Sequence, residues 1–384
     1  MSRPLLFVPE KYESRYSLLQ SFCLELAQAG REVGLTVNPP RETNQDAPAI
    51  FVIFNFPENA AHALQWVGPR RGPTALVQWL VDHPFNVDKS LMTDLVKQPG
   101  FRFVHVTDDD SHLLQLRWPG LRHGRVWHGV PRSALCDAAS LEASHTDGSR
   151  DIDVLVAGSI ADDAELEKLR SYVPDVLRNY CDEIVKLRLE YPWLSFGQAY
   201  DVIMPSPLVC PDHWGLLAVT FRYTTAKLNR DRRVRLLQAL TGLRVCVIGS
   251  DAWKPHLPAG CDFAGQVAYD QLPQWLRRTK VSVAVNPTQF VHGFSERLLL
   301  SLAAGCATVT DDRLWVRENF THPNIRAAVG FVANQPAQLR ECVENLLAST
   351  LVRVQIAQAG RALVEEKHLW AHRIDSLLRV VGMK

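Results

Sequence analysis

The sequence predicts an α/β protein of two doubly wound parallel sheets joined by a linker and carrying a helical insertion. Three observations carry this. Short apolar runs alternate with amphipathic segments over the first 130 residues. The same alternation resumes at Leu243–Ile248. Between them lie a polar stretch, 138–151, and a mostly helical block from Asp162 to about Leu240. Strands alternating with helices at this spacing argue parallel sheets.

In the first half the candidate strands are Pro4–Val8, Leu35–Val37, Ile50–Phe54, Ala75–Val81, Arg102–Val106 and Arg125–Trp127. Helices such as Ser17–Ala29 and Ala60–Val67 lie between them. Several strands run straight into polar residues: Asn55, Asp82-His83, Asp108–Asp110 and His128-Gly129. Ligands of open parallel sheets bind past these carboxyl ends. Ala138–Asp151 is poor in apolar residues and reads as a linker. A strand at Ile152–Ala157 ends in Gly158-Ser159. In the helical block, Met204–His213 is a break, and Arg222–Arg235 is basic, with Arg222, Lys227, Arg230, Arg232, Arg233 and Arg235. The second alternation continues at Cys261–Phe263, Val281–Val285, Ala307–Thr310 and Val329–Val332. Helices at Gln335–Ala348 and about Val352–Val381 close the chain. The expected division is a Rossmann-like domain over 1–137, a linker over 138–151 and a second Rossmann-like domain over 152–365 with its insertion at 162–240. A last helix, 366–384, packs back on the first domain.

Composition narrows the function classes. The 384 residues are 47% hydrophobic and 22% charged, ordinary for a globular protein. A net charge of +1 gives no argument for nucleic acid or an acidic membrane as partner. No apolar run approaches the roughly 18–20 residues that span a bilayer. The opening MSRPLLFVPEKYESRY reads as a first strand rather than a signal peptide, and the expected location is cytoplasmic. The eight cysteines form no C-x-x-C pair, which fits reduced core thiols better than disulfides or zinc.

Val281–Asp312 is the stretch with most chemical promise. A β-branched strand, Val281–Val285, meets a loop punctuated by Pro and Gly, Asn286–Gly293. Ser295 then opens a helix, Glu296–Ala304, that stops at Gly305. A strand, a loop and a helix N-terminus place free N–H groups and the positive end of the helix dipole at one point, an anion site. The signatures of P-loop NTPases, zincins, α/β-hydrolases and simple dinucleotide enzymes are absent.

Residues 262–312 and the tail resemble the C-terminal domain of GT-B glycosyltransferases, most closely the CgeB-like members of glycosyl transferases group 1. The matching residues are Phe263–Val267, Leu272–Leu276, Val281–Pro287, Gly293–Arg297, Ala303–Cys306 and Thr310-Asp311. The tail Val364–Leu378, with His368 and Arg373, is similar as well, and Trp79–Pro84 and Arg150–Leu155 more faintly so. The resemblance implies the GT-B fold: two Rossmann-like domains facing each other across a cleft, acceptor on the first and nucleotide-sugar donor on the second. It also implies a reaction without a bound metal, so the Thr310-Asp311-Asp312 run is weak evidence for one. Many relatives carry two glutamates eight positions apart, for the donor sugar and the nucleotide ribose. Counting back from Gly305, those positions hold His292 and Leu300 here. The subgroup in which an acidic–Arg pair opens the helix fits better, through Glu296-Arg297.

Candidate roles follow. Glu296 suits the helix dipole in any protein, and its carboxylate can also accept ribose or sugar hydroxyls. Arg297 gains nothing from the dipole; its planar fork suits a diphosphate leaving group, or else a surface ion pair. Gly293 allows close backbone approach to a ligand. Ser295 either caps the helix or touches phosphate. His292 either serves as an acid/base near the bond being broken or is a satisfied loop histidine. Asp82 is the candidate base for the acceptor hydroxyl if the reaction inverts the anomeric centre, against a turn Asp; His83 and His128 are alternatives. Gly249, Gln266 and Val267 lie in loops placed to hold the base. Arg222, Lys227 and Arg230 are basic candidates for the pyrophosphate.

The expected function is transfer of a sugar from a nucleotide diphosphate sugar to a hydroxyl of a surface glycan, lipid-linked glycan or protein. No cofactor is expected beyond the donor substrate, no nucleic acid partner, and no membrane span, though peripheral membrane contact is compatible. The alternatives are a non-catalytic sugar-nucleotide or glycan-binding relative and a GT-B-type epimerase.

Overall fold

The structure is a computed structural model and describes residues 3–9, 17–40, 43–55, 70–83, 85, 95–204 and 213–383. The expected helix Ala60–Val67, Cys210 and most of the Met204–His213 break lie outside these residues. The chain divides into two compact units, Met1–Pro131 with His368–Lys384, and Arg132–Lys367.

Unit 1 is built on six parallel strands in the order β2-β1-β3-β4-β5-β6. These are β1 (Leu5–Phe7), β2 (Thr36–Val37), β3 (Ala49–Phe54), β4 (Thr74–Leu80), β5 (Phe101–His105) and β6 (His123–Arg125), with helices α1 (Ser17–Glu32) and α2 (His112–Arg117). β3 is buried at every position, as a strand covered on both faces must be. Phe22, Phe54 and Trp79 pack with Trp370 of the last helix, Trp370–Val381, whose indole N–H donates to Glu25 at 2.5 Å. The tail expected as one helix, Val352–Val381, is broken before Trp370. Leu369 is extended, and Val130 donates to His368 O and accepts from Trp370 N, each at 3.1 Å. The last strand begins two residues earlier than expected, at His123.

Unit 2 carries six parallel strands in the order β12-β11-β10-β7-β8-β9. They are β7 (Ile152–Ala157), β8 (Val245–Ile248), β9 (Asp262–Gly265), β10 (Thr279–Ala284), β11 (Ala307–Asp311) and β12 (Val329–Phe331). Among the described residues its α-helices of four or more residues are α3 (Leu141–Ser144), α4 (Asp163–Ser171), α5 (Asp175–Glu190), α6 (Phe196–Ile203), α7 (Trp214–Ala239), α8 (Leu272–Arg277), α9 (Glu296–Ala303), α10 (Pro336–Ala348) and α11 (Thr350–Lys367). The strand order reverses between β7 and β10, the point at which open α/β sheets bind ligands. α4, α5, α6 and the first half of α7 form the insertion, while Leu236 and Leu237 at the end of α7 join the core over the sheet.

The stretch 138–151, expected as a linker, is part of unit 2. Its polar residues serve buried carbonyls. Arg150, fully enclosed, donates to Thr279 O at 2.5 Å, Ala304 O at 3.0 Å and Leu276 O at 3.3 Å, two of these at the ends of α8 and α9 that lack helical donors. His145 Nε2 bonds Gly305 O at 3.0 Å. Gly305 ends α9 at φ +73°, and a Cβ there would lie 2.4 Å from Leu141 and 2.7 Å from Cys136 Sγ. The seven cysteines among the described residues are free, and burial pushes Cys23, Cys181 and Cys306 up to about 12. No helix among them is long and apolar enough to cross a membrane.

Candidate functional site

The loops that follow β7, β8, β10 and β11 lie at the carboxyl ends of the strands around the reversal point of unit 2. The loop after β10 is fixed from several sides. Asn286, fully buried, donates its N–H to Asp311 Oδ1 at 2.8 Å and its side chain to Thr310 Oγ1 at 3.0 Å, and accepts from Ser295 N at 2.9 Å. Arg313 donates to Asn286 O at 2.8 Å and Pro287 O at 2.9 Å, and to Phe290 O. Arg188 of α5 donates to Thr288 O at 2.7 Å, and Asn229 of α7 accepts from Thr288 N at 2.8 Å.

Asp311 is the counter-charge of this frame. It is wholly buried, pairs with Arg313, and lies 2.9 Å from Arg232 Nη2. Burial works to raise its pKa, but Arg313 and Arg232 outweigh it and hold the carboxyl at about 2. Asp312 accepts from Arg317 at 2.9 Å and Thr321 at 3.0 Å. Both carboxylates of the Thr310-Asp311-Asp312 run are therefore taken up by the protein itself.

On this frame sit two guanidinium groups. Arg297, in the first turn of α9, donates from Nη1 to Ala157 O at 3.2 Å; its Nε is buried without a hydrogen-bond partner, 3.7 Å from Glu296 Oε1. Arg233 of α7 donates from Nη1 to Ser159 O at 2.5 Å. Burial, Arg297 and Arg232 together lower the pKa of Arg233 well below that of a free guanidinium, with Asp311 and Glu296 opposing. Gly158 lies between the two arginines at φ +149°, a conformation left almost entirely to glycine, and a Cβ on it would meet Arg297 Nη1 at 2.3 Å. Gly158 O accepts from Trp253 Nε1 at 2.6 Å, and a Cβ on Gly249 would fall 2.4 Å from that oxygen.

The structure thus brings Gly249, Glu296 and Arg297 together, with Ser295 at the same helix start. Ser295 makes no side-chain capping bond, so its hydroxyl does not spend itself on the helix. His292 and Gly293 lie in the loop just before; His292 is half-buried and its carbonyl accepts from Trp315 N at 3.2 Å. Leu300 is 1% exposed, so the position at which relatives are expected to carry a ribose-binding Glu faces the core here. Gln266 is exposed and Val267 half-buried in the loop after β9. Two basic candidates lie elsewhere. Arg222 is exposed about 16 Å along α7 from Arg233 at 1.5 Å per residue, and Lys227 pairs with Asp231 at 2.9 Å. Arg230 is bound to Asp163 at 2.5 Å.

The residue that sequence reading passed over is Arg233. It stood in the basic run, but its signal was positional: Arg232 and Arg233 lie one turn before Leu236 and Leu237, the core-facing pair, and so turn inward. Gly158 was visible only as a strand end.

In unit 1, Asp82 follows β4, is half-buried, and accepts the N–H of His83 at 2.8 Å. His83 is buried; its Nε2 meets Asp110 Oδ2 at 3.1 Å, and its Nδ1 accepts from Phe85 N at 3.3 Å. That acceptance places the ring proton on Nε2, facing Asp110. His128 is buried beside Phe22, and its carbonyl accepts from Arg373 at 2.6 Å.

Comparison with known proteins bears on the fold and on the family of the second unit. Residues 230–379 match the family profile described as glycosyl transferase-like. No curated protein sequence matches the chain. Among solved structures, the chain is similar to Anabaena HepE in complex with UDP-glucose at TM-score 0.52, 10% identity and 100% coverage of both chains. It is also similar to a glycosyltransferase from Rickettsia africae ESF-5 at TM-score 0.51, 10% identity, covering 100% of this chain and 98% of that one. The matched residues 230–379 include Arg233, Glu296 and Arg297, and the chain has the two-domain α/β fold seen in these GT-B glycosyltransferases.

Proposed function

We propose that the chain transfers a sugar from a nucleotide diphosphate sugar, and that Arg233 and Arg297 hold the donor's diphosphate over Gly158. The observation that carries this is the pairing of two half-buried cations on the carbonyls that flank Gly158, those of Ala157 and Ser159, at the reversal point of a parallel sheet. Like charges are costly side by side, and a bound dianion turns that cost into attraction. The UDP-glucose bound by HepE makes UDP-sugars the first donors to test.

In the reaction an acceptor hydroxyl oxygen bonds to the anomeric carbon, the bond from that carbon to the diphosphate oxygen breaks, and its electron pair leaves with the diphosphate. Arg297 and Arg233 stabilise the charge that develops there. Gly249 holds the loop beside them, Glu296 accepts ribose or sugar hydroxyls, and Ser295 donates to phosphate. Gln266 and Val267 border the base, while His292 and Gly293 border the sugar. Asp82 in unit 1 takes the acceptor's proton. The acceptor is a hydroxyl of a glycan, lipid-linked glycan or protein, and the reaction runs in the cytoplasm without a metal. The test is release of UDP from UDP-glucose with a panel of acceptors, with and without EDTA. Turnover unchanged by EDTA supports the arginine pair as the charge-stabilising group; turnover abolished by EDTA and restored by Mg²⁺ contradicts it.

A further inference from the structure

We propose that a groove on the helical insertion of unit 2 is a second carbohydrate-binding site, one that takes an acidic oligosaccharide. The groove, about 490 Å³, runs between α5, α7 and the segment after β12. That volume lies within the range of sites that hold organic ligands. Its lining includes Asp182, Lys186, Glu190, Asp231, Arg235 and Asn334.

Two of the acidic groups are already engaged: Tyr223 donates to Asp182 at 3.2 Å, and Lys227 pairs with Asp231 at 2.9 Å. Lys186 and Arg235 have no ion-pair or hydrogen-bond partner among the described residues. The groove narrows into a recess lined by Arg188, Pro192 and Arg232, where the Arg232 Nε is buried without a hydrogen-bond partner. Lys186 and Arg235 therefore face the groove from its wall without a carboxylate of their own, and Arg232, paired through Nη2 with Asp311, turns an unbonded Nε toward its floor.

Two aromatic residues follow the lining residues Glu190 and Pro192 directly in the chain. Tyr191 and Trp193 flank Pro192, stand edge to face at 5.5 Å, and are 38% and 57% exposed. Exposed rings beside a polar groove match the two faces of a sugar, whose C–H side packs on aromatic surface while its hydroxyls bond carboxylates and amides. Bound carboxylates would complete Lys186 and Arg235. The proposal rests on the sugar-transfer reading in one respect: the glycan held here is the acceptor chain or its extension.

The test titrates tri-galacturonate and maltotriose onto the full chain with UDP at saturation, read by tryptophan fluorescence and calorimetry. Tri-galacturonate should bind, with maltotriose weaker by about tenfold or more. The Lys186→Ala/Arg235→Ala double variant, changed only at exposed positions, and Trp193→Ala should each weaken tri-galacturonate by about tenfold or more, while Arg297→Ala leaves it unchanged. Absence of tri-galacturonate binding, or equal affinity in the double variant, overturns the proposal. UDP titrated alone reports on the donor site separately: tri-galacturonate binding without UDP binding would remove the sugar-transfer reading and leave this groove standing.

Discussion

Arg297 and Arg233 reach the same glycine from different helices, Arg297 donating to the carbonyl before Gly158 at 3.2 Å and Arg233 to the carbonyl after it at 2.5 Å. Neither has a carboxylate closer than the 3.7 Å between Glu296 Oε1 and Arg297 Nε among the ion pairs of the described residues. Most of the arginines that hold this frame are spent on carbonyls or on Asp311; these two keep donors to offer an anion.

Replacing either arginine by alanine should weaken UDP binding by about 1.5–3 kcal/mol, the range for a charge-assisted hydrogen bond. Uridine, which lacks the diphosphate, should lose no affinity. Calorimetric titration of both ligands checks this, and an equal loss for uridine would move the arginines out of the phosphate site.

Gly158→Ala should fold and yet lose most donor affinity. The added methyl would lie 2.3 Å from Arg297 Nη1 and force a φ of +149° on a residue that avoids it. Unchanged UDP affinity in a folded variant would mean that the loop has slack the structure does not show.

Asp311→Asn should cost about 3–5 kcal/mol, because it leaves Arg232 and Arg313 buried without their counter-charge. The pH dependence has a definite sign. The folded carboxyl titrates at about 2, below its ordinary 3.8, so its contribution is full above that ordinary value and is lost as pH falls through about 2. The stability gap between wild type and variant should therefore narrow between pH 4 and pH 2 in thermal melts. A gap that stays constant would contradict the assignment.

His145 gives a second pH signature. Burial and the neighbouring Arg150 lower its pKa to about 4, from 6.5. The neutral ring is what the fold holds, so stability is full above pH 6.5 and falls as pH drops toward 4. His105 of unit 1 titrates in the same window, so the readout is the difference from His145→Gln, which keeps a donor for Gly305 O and should show a shallower loss.

Much of the fold was legible because buried parallel strands write themselves as β-branched apolar runs, as in Ala49–Phe54 and Val281–Val285. The helix start at Glu296-Arg297 was legible for the opposite reason: an arginine in a first turn needs an explanation beyond the helix. The stretch 138–151 was misread as a linker because polarity marks solvent only on average, and Arg150 uses its polarity on three buried carbonyls. Arg233 was missed because a basic run gives no hint which member turns inward until the core-facing residues one turn later are placed. Lys227 and Arg222 look the same in sequence and point to different surroundings.

The most direct test is a crystal structure with UDP bound. The diphosphate oxygens should lie within about 3.2 Å of guanidinium nitrogens of both Arg233 and Arg297, above Gly158. A diphosphate bound away from these two side chains would contradict the account.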